Sequence, residues 1–172
     1  MDSDTELARK AAAGDTAAFT ALVRLHESKV RRFLDRLLRG DGAEDLAQEV
    51  FLKAWRMARS WREEGPYGAW LMRIAWTSFL SHNKTRGRQR DRETAACDPD
   101  PGKAGNAEAA IDLQRALAGL SERERAAALL CFGEGCSHSE AAAILDLPLG
   151  TVKSLVARAR TRILAYLEKK HD

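Results

Sequence analysis

A chain of 172 residues can hold one ordinary domain or two small ones, which argues against a single large catalytic domain. Its net charge of +3 is too small to point to nucleic acid by itself, so the placement of the charges has to decide. Three cysteines at irregular spacing do not make a disulfide framework and are expected to be reduced thiols.

From the amino terminus, the apolar positions between Leu7 and Val23 are interrupted by Arg9, Lys10, Asp15 and Thr16, a pattern unlike a secretory signal. No run approaches the roughly 20 apolar residues that span a bilayer. A soluble, cytoplasmic chain with no membrane insertion of its own is expected. From Thr5 to about Arg90 apolar residues recur at helical spacing, without the two-residue alternation of a half-buried strand. Phe19, Leu22, Val23, Val30, Phe33, Leu34, Leu37 and Leu38 form one stripe, which breaks off at the Gly40-Asp41-Gly42 turn. Leu46, Ala47, Val50, Phe51, Ala54 and Trp55 then keep i, i+3, i+4 spacing and predict an amphipathic helix over 43–59. Asp41, Glu44, Asp45 and Glu49 gather at its start with no base among them, where acids favour the helix dipole. Helix rules alone would be satisfied by a cap and a solvated face.

After a loop at Glu63 to Gly68, Trp70, Leu71, Ile74, Ala75, Trp76, Phe79 and Leu80 make a third helical segment whose apolar residues spread around the axis. Trp70 projects with Ile74 toward a core and Trp76 to the opposite side. Among Trp61, Tyr67, Trp70 and Trp76, Trp76 is therefore the best candidate for a ring that stacks on an unpaired base. Lys84, Arg86, Arg88, Arg90 and Arg92 follow at every second residue with only Asp91 opposing them. That spacing suits backbone phosphates, or a merely solvated tail. Between about Asp91 and Glu108 the composition shifts to Asp, Pro, Gly, Ala and Asn, including Asp98-Pro99-Asp100-Pro101-Gly102, which cannot build a core. A flexible linker is expected there.

Helical patterning resumes through Ile111, Leu117 and Leu120. Ser137-His138-Ser139-Glu140 fits a capping box, in which the serine accepts from a backbone amide and the glutamate reaches back. The helix it opens would run through Leu145 and turn at Asp146-Leu147-Pro148, with the next helix starting around Leu149 to Thr151. This is a helix-turn-helix layout. In the second helix Val152, Val156, Ala159 and Ile163 fall on the inward face, and Ser154, Ala157 and Thr161 point outward. Arg158 and Arg162 flank the outward strip on one side, Lys153 and Arg160 on the other, and no acidic residue occurs between Leu147 and Leu167. Cations on both sides suit the phosphates on both walls of a major groove. The fold expected is all-α: a helical domain over 1–90, a flexible linker over 91–108, and a smaller helix-turn-helix domain over 109–172.

Cys131, Cys136 and His138 lie close together in sequence, but a structural zinc site needs four ligands in paired spacing, so no metal is expected. Cys131 reads as core and Cys136, beside a glycine turn, as an exposed thiol. His26, His82 and His171 are isolated. No Gly-rich phosphate loop, Ser-His-Asp arrangement or paired carboxylate motif is present, so no cofactor, no catalytic residue and no enzymatic activity are expected. A thiol hydrolase using Cys136 and His138 is the most distant alternative.

The run Ile144-Leu145-Asp146-Leu147-Pro148-Leu149-Gly150-Thr151-Val152-Lys153-Ser154, ending in Ala157-Arg158-Ala159-Arg160, closely resembles the promoter-reading helix-turn-helix of extracytoplasmic-function (ECF) sigma factors. Ala43-Glu44-Asp45-Leu46-Ala47-Gln48-Glu49-Val50-Phe51-Leu52-Lys53-Ala54-Trp55 is similar to the core-polymerase-binding helix of that family's second region. Tyr67 to Arg92 resembles the part that reads the minus-ten element and captures the non-template strand. Together these cover nearly the whole chain in the family's order. The resemblance implies an alternative sigma factor that binds RNA polymerase core and promoter DNA, recognises the minus-ten and minus-thirty-five elements, and is controlled by an anti-sigma partner.

On that resemblance Asp45, Gln48 and Glu49 are the polymerase contacts, with Leu46, Val50 and Trp55 in the core. Trp76, Lys84, Arg86 and Arg88 serve the minus-ten side, and Thr151, Lys153, Ser154, Arg158 and Arg160 the minus-thirty-five side. The chain departs from the family in two places. Where the family commonly has Ile-Ala-Arg-Asn and an Asp four residues later, this chain has Ile74-Ala75-Trp76-Thr77 and Ser81, so no minus-ten preference transfers. Leu155 stands where an arginine usually follows the Lys-Ser pair, so one phosphate contact is expected to be missing. Two other readings compete: a sigma mimic that sequesters an anti-sigma factor without reading DNA, and a stand-alone helix-turn-helix regulator. The second leaves the acidic helix and the whole first domain without a role.

Overall fold

The computed structural model describes residues 3–38, 42–90 and 107–171, with eight α-helices and no strand among them. The chain divides into two compact units, Met1–Leu34 with Gly42–Ala96, and Asp35–Asp41 with Cys97–Asp172. The fold is therefore all-α, as the periodicity predicts. The segment 91–106, which holds most of the expected linker and Arg92, lies outside the described residues, as do Gly40, Asp41 and the side chains of Arg88 and Arg90.

The helices α1 (Ser3–Ala12), α2 (Thr16–Leu38), α3 (Ala43–Arg56) and α4 (Tyr67–Arg90) belong to the first unit for all but the last turn of α2. Gly42 enters α3 at φ 107°, a left-handed conformation that a side chain would strain. Leu46, Ala47, Val50 and Ala54 form the buried face of α3. The helix predicted over 43–59 ends at Arg56, and a 3₁₀ turn over Ala58–Ser60 follows, which buries Ala58. The core also takes Leu22, Val30, Phe33 and Leu34 from α2 and Leu71, Met72, Ala75 and Phe79 from α4. Each fully buried Leu, Val or Phe contributes about 1.5–3 kcal/mol relative to exposure.

Helix α4 packs against both α3 and α1, so its buried arc is wider than half a turn. Tyr67, Leu71, Met72, Ile74, Ala75, Trp76, Ser78 and Phe79 all lie within it. The expectation that Trp76 presents a free face is thereby corrected. It is 3% exposed and stacks on Phe79, with ring centroids 5.6 Å apart. A projection that assigns one inward face fails for a helix with neighbours on two sides.

The second unit contains α5 (Ala107–Ala118), α6 (Glu122–Ala128), α7 (His138–Leu145) and α8 (Leu149–His171). Helix α6 passes into a π turn over Leu129–Gly133. The capping box at Ser137 is present: its hydroxyl accepts from the Glu140 amide at 3.2 Å, and the Glu140 carboxylate accepts from the Ser137 amide at 2.7 Å. Ser121 and Glu124 make the same reciprocal pair at the start of α6, from the same Ser-x-x-Glu spelling. Asp146 ends α7 in the left-handed conformation at φ 55°, and α8 begins three residues later. Buried Arg125 donates to the carbonyls of Leu117 and Leu120, which ties α6 to the end of α5 and its following turn. Helix α8 packs on α6, α7 and α5, and it buries Val152, Leu155, Val156 and Ala159.

Candidate functional site

In the first unit, burial of Leu46, Ala47, Val50 and Ala54 turns Asp45, Gln48 and Glu49 outward, and all three are exposed. Val50 and Leu46 are core, whereas Trp55 is half-buried against Phe19 with centroids 4.9 Å apart. The acids differ in what they hold. Glu44 pairs with Arg31 of α2 at 3.0 Å, and Glu49 pairs with Lys53 one turn on at 2.5 Å. Lys53 also donates to the buried Ser78 hydroxyl of α4 at 3.1 Å. Asp45 has no ion pair among the described residues.

Leu52 follows Gln48 by four residues and Glu49 by three, and is 57% exposed. Sequence reasoning passed over it, although a leucine on the polar face of an amphipathic helix was the available signal. Gln48, Phe51, Leu52 and Trp55 line one side of an open groove of about 490 Å³, and Phe19 and Val23 of α2 line the other. The strip thus combines one unpaired carboxylate, an amide and an exposed apolar side chain beside an apolar groove.

Along α4 the residues left outside the wide buried arc are Arg73, Thr77, Ser81, Lys84 and Thr85, all exposed. Thr77 donates to the Arg73 and Ile74 carbonyls, and Ser81 to the Thr77 carbonyl, so both hydroxyl oxygens keep acceptor capacity. Arg86 is half-buried. Of the aromatic candidates, Tyr67 is buried, and burial pushes its phenol up to about 12. Trp61 and Trp70 are half-buried, each packed on Tyr67 at 5.8 and 5.3 Å. The partly open rings are therefore at the start of α4 and just before it.

On α8, Thr151, Lys153, Ser154, Ala157, Arg158, Arg160, Thr161 and Arg162 are exposed, and Ile163 is half-buried. Ser154 donates to the Gly150 carbonyl and Thr161 to the Ala157 carbonyl. Lys153 and Arg160 have no ion pair among the described residues. The opposite flank is different, because the fold brings Glu124 of α6 to 3.0 Å from Arg162 and 3.7 Å from Arg158. The Ser121 amide holds the Glu124 carboxyl below the usual carboxylate range against the opposing effect of burial, and Arg162 and Arg158 act in the same direction. Leu155 is 5% exposed and belongs to the core. A buried leucine at 155 offers no group to a phosphate, in keeping with the expected absence of a contact there.

Cys131 and Cys136 are free thiols, both half-buried, and burial, with Cys136 nearby, raises the Cys131 thiol. Among the described residues no three His, Cys, Asp or Glu side chains gather as metal ligands. No described helix is long and apolar enough to cross a membrane.

Comparison with known proteins matches residues 22–89 to Sigma-70 region 2 and residues 110–163 to Sigma-70, region 4. The ECF RNA polymerase sigma factor SigE of Mycolicibacterium smegmatis is 38% identical over 98% of this chain and 70% of its own length. The ECF RNA polymerase sigma-E factor of Escherichia coli is 31% identical over 94% of this chain and 92% of its own. Among solved structures, the sigma factor RpoE of Bartonella quintana, in complex with the anti-sigma factor NepR, has a TM-score of 0.79 at 32% identity. That match covers 87% of this chain and 96% of the other. CnrH in complex with the cytosolic domain of CnrY has a TM-score of 0.76 at 26% identity, covering 98% and 99%.

Proposed function

Because the chain belongs to the ECF family of RNA polymerase sigma factors, we propose that it binds RNA polymerase core through the exposed strip of α3 and reads promoter DNA through α4 and α8. It is an alternative sigma factor that starts transcription at minus-ten and minus-thirty-five elements and works in the cytoplasm. The chain performs no catalysis itself and holds no cofactor, since the polymerase supplies the chemistry. Its controller is an anti-sigma protein, in keeping with the complexes in which the two structural relatives are found.

The observation that carries this reading is the α8 surface. A capped helix-turn-helix presents small and hydroxyl side chains between two cationic flanks, of which Lys153 and Arg160 are unopposed. A sigma mimic has no use for that surface. Thr151, Lys153 and Ser154 occupy the first turns, where base edges are met, and Arg158 and Arg160 lie further on at the level of phosphates. On α4, the minus-ten side falls to Arg73, Thr77, Ser81 and Lys84, with Arg86 and Arg88 continuing the charge. The polymerase contacts are Asp45, Gln48 and Glu49, joined by Leu52. Domain bounds of 1–90 and 109–172, joined through 91–108, fit this division of labour.

Transcription in vitro with core polymerase on a genomic promoter library tests function and specificity together. Product dependent on this chain is expected from a defined promoter subset, and its absence would defeat the reading. Asp45→Lys is expected to weaken core binding at least tenfold in a titration, because it reverses the one acid of the strip that has no internal partner. Its melting temperature should fall by only a few degrees, since an exposed charge in the first turn of α3 changes stability by about 1 kcal/mol or less. Unaltered core affinity would remove α3 from the interface.

Lys153→Ala and Arg160→Ala should part company in a duplex series at several salt concentrations. Loss of a base contact relaxes preference at one position and costs about 1–3 kcal/mol, whereas loss of a phosphate contact weakens all sequences and lowers the salt slope by about one. Lys153→Ala should show the first pattern and Arg160→Ala the second. If both variants transcribe the same promoters as well as the parent, α8 is not the reader.

A further inference from the structure

Glu124 does two things at once. Its carboxylate closes the capping box of α6, accepting from the Ser121 amide at 3.0 Å, and it faces two guanidinium groups of α8. The side chain is 5% exposed, whereas those of Arg158 and Arg162 are 61% and 55% exposed. A shielded carboxylate therefore anchors two arginines whose remaining donors face solvent. Arg162 is held a second time by the Gly119 carbonyl at 3.3 Å.

The consequence lies in the charge available to a duplex. Four cations of α8 surround the outward strip, but Lys153 and Arg160 are unopposed while Arg158 and Arg162 share one anion. A phosphate that approaches the second flank must compete with Glu124 for the same guanidinium groups. A contact that has to be won from an internal partner adds little to binding at an arbitrary sequence. It adds most where the other contacts already fix the helix in register. We propose that Glu124 is a positioning residue for specificity, holding Arg158 and Arg162 in reserve so that non-promoter DNA does not gain their full charge.

This inference rests on α8 being the promoter reader, so its test carries a separate control for that premise. Glu124→Gln keeps the capping box, which glutamine also closes, and removes the charge. Holoenzyme reconstituted with the full-length variant is titrated with promoter and non-promoter duplexes at several salt concentrations, so that the core's own contribution cancels against the parent. Each arginine released adds one phosphate contact, which steepens the logarithmic salt slope by about 0.9 and tightens non-promoter binding on the order of 3- to 10-fold. The ratio of promoter to non-promoter affinity should fall by a similar factor. On the non-promoter duplex, adding Arg158→Ala and Arg162→Ala to Glu124→Gln should remove the added steepness, which assigns the effect of Glu124 to those two arginines.

An unchanged slope and ratio in Glu124→Gln, with Arg160→Ala still lowering the slope, would overturn the inference and leave Glu124 as a helix cap. A melting temperature lowered together with weaker binding to both duplexes would overturn it as well. If Arg160→Ala and Lys153→Ala also have no effect, the promoter-reading assignment of α8 fails instead.

Discussion

Truncating Trp76 to alanine should destabilise the first unit by about 3–5 kcal/mol, the cost of removing a fully packed large aromatic side chain. Trp76 lies under the surface of α4, stacked on Phe79, which is itself 1% exposed, so the lining of the resulting cavity cannot collapse freely. The measurement is unusually selective here. All four tryptophans of the chain, at 55, 61, 70 and 76, fall in the first unit, so their emission in a urea titration reports that unit alone. The midpoint should drop while the slope with denaturant holds, and Trp76→Phe should recover most of the loss. Were Trp76 a base-stacking ring instead, truncation would leave the midpoint in place and cost about 1–3 kcal/mol in binding to unpaired non-template strand. The two outcomes do not overlap.

The same residue explains how far the sequence could be read. Stripes on α3 and in the helix-turn-helix were legible because each has a dominant inward face and an explicit start signal, Gly42 in one case and the Ser137–Glu140 box in the other. Helix α4 has neighbours on two sides, and a segment with apolar residues all round gives no projection from which to choose the one exposed strip. That is why Arg73, Thr77 and Ser81 emerged as a face only from the structure.

Charge was legible by sign and not by pairing. Arg31 with Glu44 joins two helices, and Glu124 reaches α8 from α6 across many residues of chain, so neither pair follows from local spacing. The Ser121 cap could have been found, since it repeats the pattern that located Ser137. Glu124 would then have been assigned to its own helix end, and its second role would still have been missed.

Replacing Leu155 with arginine, the residue common at this place in the family, should unfold the second unit's core before it adds any contact with DNA. Leu155 is 5% exposed, on the helix face next to Val152, Val156 and Ala159, which are all buried. Losing its burial costs about 1.5–3 kcal/mol, and forcing a longer side chain into a filled core adds about 1–3 kcal/mol of strain. A total of roughly 2.5–6 kcal/mol is a large share of the stability of a small helical domain. Melting followed by far-ultraviolet circular dichroism, with tryptophan emission recorded in parallel, separates the units: the helical signal should lose part of its amplitude early while the emission transition stays where it was. Leu155→Met, which keeps volume and apolarity, should cost less than about 1.5 kcal/mol. A phosphate-contacting arginine would behave in the opposite way, steepening the salt dependence of promoter binding by about 0.9 with the melt unchanged. That result would mean that α8 sits higher on its neighbours than its buried face indicates, and that the outward strip is wider than Ser154, Ala157 and Thr161 alone.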